Sequence, residues 1–464
     1  MEDDIEERRF VAVADAFSIK LPHERGTGKD RAELYLPPET RCSYSLKQGK
    51  SPVSANDNGD DAYQSRRHHC KRSVVMSFNM FVPTRVLFGQ GQLQNLHGQT
   101  LPGRKAMLVI SRGKSVRVNG TLDRVEEQLR HAGVETAIFD KVEPNPLKST
   151  VMEGGAFARA HGCDFLVALG GGSCMDAAKA IAVMATNDGD FWDYIPSGTG
   201  KGKPLAVAPL PLVAITTTAG TGSETDAGAV ITNAETHEKS GFVHDALFPV
   251  LAVVDPELMR TVPPKMTAYQ GFDALFHSVE GYISNGTNLM SDMYAITAIE
   301  NVSRYLARAV RDGSDMEARE RVAFGNTLSG TVMCVGRCTS EHSLEHAMSA
   351  FHQELPHGAG LIMISKAYYT HFINLHVCDE RFVRMARAMG MENAEAPADF
   401  ITMLAKLQEE CGVADLRMSD YGITPDEFEN MARNARDTMG FLFQCDRVPL
   451  SDEDCVAIYR ASYR

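Results

Sequence analysis

From Arg104 onward the chain alternates short apolar runs with amphipathic ones, and that alternation restricts the fold more than any other feature of the sequence. Parallel strands are covered on both faces, so they read as unbroken apolar runs, and their crossover connections are usually helical. Residues 106–110 read as a strand, 121–131 as a helix, 136–139 as a strand, 151–161 as a helix and 165–169 as a strand. A helix over 175–185 and strands over 212–215 and 250–254 continue the pattern. A parallel sheet flanked by helices satisfies it, giving a Rossmann-like α/β domain over residues 76–260.

Two loops of this half carry chemistry. Gly170-Gly171-Gly172-Ser173 stands between a strand and a helix whose first turns hold Asp176 and Lys179. Glycines let a ligand approach the backbone, and free amides at a helix N-terminus attract phosphate oxygens. The loop is neither GxGxxG nor a Walker sequence, so by itself a tight turn with glycines for packing explains it equally well. The second loop, Thr216-Thr217-Thr218-Ala219-Gly220-Thr221-Gly222-Ser223-Glu224, leaves the carboxyl end of a strand, where open α/β sheets bind ligands.

Past Pro256, Pro263 and Pro264 the character changes. Windows over 267–284, 289–310, 317–335, 361–375, 382–389 and 399–410 repeat apolar residues at three and four positions. That period predicts an all-α domain over 261–464, closed by a capped helix after Leu450. Its first helices hold Gly271-Phe272-Asp273-Ala274-Leu275-Phe276-His277, Glu341-His342-Ser343-Leu344-Glu345-His346 and Leu355-Pro356-His357-Gly358. Spacing of i, i+4 puts Asp273 with His277, and His342 with His346, on one helical face, while His357 is expected in a turn between Pro356 and Gly358. Taken singly, each histidine is more simply a hydrogen-bonded helix residue. Together the five form a candidate site for a borderline ion such as Zn2+ or Fe2+. The ion would face the junction of the two halves, within reach of a ligand on the glycine-rich turn.

At 464 residues the chain exceeds the size of a single core, consistent with two packed halves. A formal charge of −13 argues against a general nucleic-acid or anionic-membrane partner, and no apolar run approaches the roughly 20 residues of a membrane helix. Ten cysteines without a CxxC pair point to a reducing compartment, so the expected location is cytoplasmic. Residues 1–75 begin acidic and run through Gly, Pro and Ser without periodicity, and are expected to be a disordered extension or a mis-assigned start, with the functional protein beginning near Met76. The basic cluster 66–72 precedes an apolar patch, but Ser77 and Asn79 break that patch and no cleavage site follows, which argues against a late export signal.

Residues 76–464 resemble the iron-containing (group III) alcohol dehydrogenases. The motifs that carry the resemblance are the run from Gly170 through Cys174, Met175, Asp176, Ala177 and Ala178 to Lys179, residues 216–224, residues 271–282, and residues 342–358. The resemblance implies a nucleotide-binding α/β domain, a helical metal-binding domain, and transfer of hydride between a primary alcohol or aldehyde and NAD or NADP. It makes Asp273, His277, His342 and His357 ligands of Fe2+, with Zn2+ as the other candidate, and places His346 near nicotinamide and substrate as the catalytic residue. Gly171, Gly172 and Ser173 match the pyrophosphate-binding turn, Asp176 the acid of that motif, Thr216 and Thr217 threonines beside the cofactor, and Lys239 a cofactor-contacting lysine. The implied partner is a small-molecule alcohol or aldehyde; a homo-oligomer is left open.

Two departures from the family pattern stand out. The interval from His342 to His357 is one residue longer than common, which makes His352 a rival ligand. Where NAD-preferring members often carry an acid after the first strand, this chain reads Ser111-Arg112-Gly113-Lys114-Ser115-Val116-Arg117, and basic residues there suit the 2′-phosphate of NADP, although solvated turn charges explain them too. The alternative readings are a lyase resembling dehydroquinate synthase, which would need a Lys/Arg cluster for its sugar phosphate, and an inactive family member.

Overall fold

The computed structural model describes residues 77–464, so the expectation for residues 1–75 lies outside the described residues. The first half is built on six strands: β1 (Arg85–Phe88), β2 (Lys105–Ser111), β3 (Glu135–Val142), β4 (Phe165–Gly170), β5 (Leu212–Thr216) and, after a hairpin, Leu251–Val254. The hairpin supplies β6 (Gly228–Asn233) and β7 (Glu238–Val243), which makes Leu251–Val254 β8. Helices α1 (Thr121–His131), α2 (Lys148–His161) and α3 (Gly172–Thr186) alternate with β2 to β5. The sheet runs β1-β8-β5-β4-β2-β3, every pair parallel. Each residue of β4 and β5 is buried, which is why both read as unbroken apolar runs.

The order in which strands are added to the sheet reverses between β2 and β4: β3 lies to one side of β2, and β4, β5 and β8 follow on the other. In such sheets the loops leaving the strands at the reversal frame the ligand site. Here those loops are the basic segment after β2 and the glycine-rich turn after β4. Gly170 pairs with Thr216 across β4 and β5, so the hydroxyl-rich loop starts beside the glycine-rich one.

Helix α3 begins at Gly172, with Gly171 as its cap, three residues earlier than the apolar period indicated. The pair β6 and β7 forms an antiparallel ribbon apart from the main sheet, and sequence reading did not anticipate it. Its second strand opens with Glu238 and Lys239, residue types that belong at a surface unless paired. Both are buried, because Glu238 accepts from the Thr199 amide at 2.7 Å and the Trp192 indole at 3.1 Å while Lys239 donates to Ser349 at 2.9 Å.

The second half is helical: α4 (Pro264–Ile283), α5 (Leu289–Arg311), α6 (Met316–Gly336), α7 (Ser340–Phe351), α8 (His357–Asn374), α9 (Asp379–Ala388), α10 (Ala398–Glu410), α11 (Phe428–Phe443) and α12 (Asp452–Ser462). Pro264 starts α4 at a position where its missing amide costs nothing. The helix then packs against α5, α6 and α8, and is buried at nearly every position from Thr267 to Ile283. Helix α7 is buried from Ser340 to Ala350. These two central helices carry most of the candidate ligands. No helix among the described residues is long and apolar enough to cross a membrane.

Candidate metal centre

Asp273 and His277 lie one turn apart on α4, and His342 and His346 one turn apart on α7. His357 is the first residue of α8 rather than part of a free turn, with Pro356 as its cap. Gly358 brings the start of α8 onto α4: a Cβ there would fall 2.2 Å from the Tyr269 carbonyl oxygen, one turn before Asp273. Three ring nitrogens consequently surround one carboxylate oxygen. Asp273 Oδ1 lies 3.4 Å from His277 Nδ1, 3.4 Å from His342 Nε2 and 3.5 Å from His357 Nε2. The His277 and His342 rings stack with centroids 4.1 Å apart.

Two carboxylates that sequence reading passed over hold the outer sides of these rings. Glu280 meets His342 Nδ1 at 2.6 Å and accepts from the His342 amide at 3.0 Å. Glu345 meets His357 Nδ1, and its Oε2 also lies 3.5 Å from Lys239 Nζ. The signal was present: Glu280 follows Asp273 by seven residues on the face that carries Asp273 and His277.

Electrostatics follow the geometry. Burial alone would raise the Asp273 carboxyl, but His277 and His357 hold it well below the usual carboxylate range. His277 is pushed down to about 3 by burial and then by His342. Burial opposes charge on His342 too, yet Glu280 and Asp273 lift it to about 10. His346 is driven well below its ordinary value by burial, Lys239 and His357, so its ring is neutral.

A borderline divalent ion fits this donor set of one carboxylate and three imidazoles. The buried His277 Nδ1 has no hydrogen-bond partner, a condition that costs about 1–3 kcal/mol unless something accepts its lone pair. His346 Nδ1 is likewise unpartnered, with its ring 5.3 Å from that of His357. His352 stands apart: its Nε2 meets Glu427 at 2.9 Å.

The remaining predicted residues divide into two groups. Gly171 and Gly172 receive the second loop directly, since a Cβ at Gly171 would lie 2.8 Å from Thr218 Oγ1 and one at Gly172 would lie 2.2 Å from Thr221 Cγ2. Ser173 follows in the first turn of α3, Thr216 ends β5, and Thr217 donates its amide to the Gly170 carbonyl at 2.9 Å. The same loop reaches α4, because a Cβ at Gly220 would touch Gln270 Cα at 3.0 Å. Asp176 and Lys239 both have partners within the chain. Asp176 turns inward, accepting from Ser223 Oγ at 2.8 Å and the Val230 amide at 2.9 Å, and Lys239 turns to α7 rather than to the glycine-rich turn.

A helix begun by glycines at the switch point of a parallel sheet, joined to a buried carboxylate ringed by imidazoles, is the layout of a metal-dependent dinucleotide oxidoreductase. Residues 83–256 match the family described as iron-containing alcohol dehydrogenase, and residues 267–463 match the C-terminal domain of the Fe-containing alcohol dehydrogenase family. The chain belongs to the iron-containing alcohol dehydrogenase family, and it is an alcohol dehydrogenase. It is 34% identical to the 1,3-propanediol dehydrogenase of Klebsiella pneumoniae, over 84% of this chain and all of that protein. It is 34% identical to the NAD-dependent methanol dehydrogenase of Bacillus methanolicus over 77% of this chain and 93% of that protein. Among solved structures, an archaeal halo-thermophilic alcohol dehydrogenase from a Red Sea brine pool superposes with a TM-score of 0.79 at 34% identity, covering 83% of this chain and 99% of that one. The dehydrogenase reading therefore stands over the lyase.

Proposed function

We propose that this chain interconverts a small primary alcohol and its aldehyde by hydride exchange with NAD or NADP, at a divalent ion held by Asp273, His277, His342 and His357. The observation that carries the reading is the convergence of three ring nitrogens within 3.5 Å of Asp273 Oδ1. When bound, the ion supplies Lewis acidity toward the alcohol oxygen and the nicotinamide gives or takes the hydride. Fe2+ is the ion the family name favours, with Zn2+ suited to the same donors.

The chain's own residues bind, orient and exclude water. Gly171, Gly172 and Ser173 present helix-start amides to the pyrophosphate. Thr216 and Thr217 border that cradle. Glu280 holds His342 Nδ1 and so turns Nε2 toward Asp273, the role an outer carboxylate plays for a ligating imidazole. His346, unpartnered at Nδ1 and with its ring 5.3 Å from that of His357, or an ordered water beside it, carries the hydroxyl proton toward solvent and back in the reverse direction. Asp176 acts one step removed, holding Ser223 of the second loop. Arg112 and Lys114, exposed after β2 at the switch point, favour the 2′-phosphate of NADP.

A panel of short aldehydes assayed with NADH and with NADPH, before and after chelation, tests the proposal. Consumption of one cofactor that chelation abolishes and Fe2+ or Zn2+ restores is expected. Full turnover by the metal-free protein, or no consumption of either cofactor, would overturn it.

A further inference from the structure

We infer that Glu345, steadied by Lys239 and Ser349, is a positioning residue that orients His357 toward the metal. The inference rests on the metal reading above. Glu345 is fully buried, and its Oε2 faces two groups at once: His357 Nδ1 and, at 3.5 Å, Lys239 Nζ. Lys239 is buried as well, and donates to Ser349 Oγ at 2.9 Å, one turn beyond Glu345 on α7. Helix α8 closes the other side. A Cβ at Gly360 would lie 2.7 Å from Glu345 Cγ and 2.9 Å from Oε1, so only glycine leaves room for the carboxylate to lie flat against that helix.

The consequence is directional. His357 is the first residue of its helix, directly after the Pro356 cap. Hydrogen bonding of Nδ1 to Glu345 leaves Nε2 as the free lone pair, and Nε2 is the atom that faces Asp273 Oδ1 at 3.5 Å. Lys239 supplies the cation that lets a carboxylate sit in this interior; an uncompensated buried charge would be strongly unfavourable. Lys239, which the family resemblance gives to the cofactor, thereby also braces Glu345 on the metal side. The groups facing the carboxylate are Lys239 from β7 and His357 from α8, while Ser349 from α7 accepts from Lys239 and holds it there. A rival reading makes Glu345 itself a ligand, since Glu345, His346 and His357 offer donor atoms within 4.8 Å of one another.

The test is metal affinity measured by competition of Zn2+ with a chromophoric chelator, alongside the melting temperature of the metal-free protein. Removing an outer carboxylate from a ligating histidine typically weakens metal binding about 10- to 100-fold. Glu345→Ala is expected to fall in that range, and Glu345→Gln, whose amide oxygen still accepts from Nδ1, to recover most of the loss. Because Glu345→Ala strands Lys239, the double variant Glu345→Ala with Lys239→Met removes both charges; it is expected to melt near the unmutated protein yet still bind Zn2+ weakly. Unchanged affinity in Glu345→Ala, restored affinity in the double variant, or a Glu345→Gln protein as weak as Glu345→Ala would overturn the inference, the last in favour of direct ligation. Asp273→Asn in the same assay separates the two levels: if it too binds normally, the metal reading fails, whereas loss there with normal Glu345→Ala sinks only the role of Glu345.

Discussion

Replacing Gly172 by Ala probes how the two loops share one site. The new methyl carbon would sit 2.2 Å from Thr221 Cγ2, 2.7 Å from its Oγ1 and 2.9 Å from its Cβ, against a comfortable carbon separation of roughly 3.5–4.0 Å. Thr221 cannot retreat freely. Its neighbour Gly222 donates to Asn326 Oδ1 at 2.9 Å, and Glu224 accepts from Asn326 and Thr327 at 2.9 Å each, tying the loop to α6. Overpacking of this kind costs about 1–3 kcal/mol. At about 1.4 kcal/mol per tenfold, cofactor affinity drops roughly 5- to 150-fold if the strain falls wholly on the bound geometry. Urea unfolding and a fluorescence titration with NADH or NADPH measure the two shares. Adding Thr221→Gly removes every offending atom and should restore most of the loss, less about 0.5–1 kcal/mol for the flexibility of a new glycine. A Gly172→Ala protein with normal stability and normal cofactor binding, or no recovery in the double variant, would refute the shared-site argument.

Two further perturbations address groups buried in each half. Lys179 is fully buried and donates to Ser223 Oγ, Asp226 Oδ1 and the Gly228 carbonyl at 2.8, 2.7 and 2.8 Å, so Lys179→Met leaves Asp226 without its cation and should cost about 3–5 kcal/mol in urea unfolding, most of it recovered by Asp226→Asn. Asp446, whose carboxyl burial raises to about 7, holds a proton in the folded chain that the unfolded chain loses near pH 4, so its contribution makes stability fall as pH rises through that window. Asp446→Asn keeps an acceptor for the Ser340 amide and the Tyr368 hydroxyl, and should match the unmutated protein near pH 4 while exceeding it by up to about 4 kcal/mol at pH 8. An equal difference at both pH values would show that Asp446 is not the group involved.

The α/β half was legible where burial acts on both faces of an element. Strands β2, β4 and β5 and helix α1 fall within two residues of their expected bounds, because unbroken apolar runs and a 3.6-residue period each have one simple explanation. Strand β1 is only four residues on an edge, too short to show a period. The β6 and β7 ribbon was hidden for a different reason: Glu238 and Lys239 are buried through partners far along the chain, and no local pattern announces a partner 110 residues away. The same limit applied to the site. The i, i+4 pairs on α4 and α7 could be read locally, whereas the contact of His357 with Asp273 depends on Gly358 meeting Tyr269, and the inward turn of Asp176 depends on a loop beginning 40 residues later.

The central claim is that Asp273, His277, His342 and His357 together hold one divalent ion. Elemental analysis of the purified protein and of His277→Ala, prepared side by side under anaerobic conditions and checked for equal helicity, tests it most directly. About one Fe2+ or Zn2+ per chain in the unmutated protein and almost none in a folded variant is the predicted result; a variant retaining its full complement of metal would contradict it.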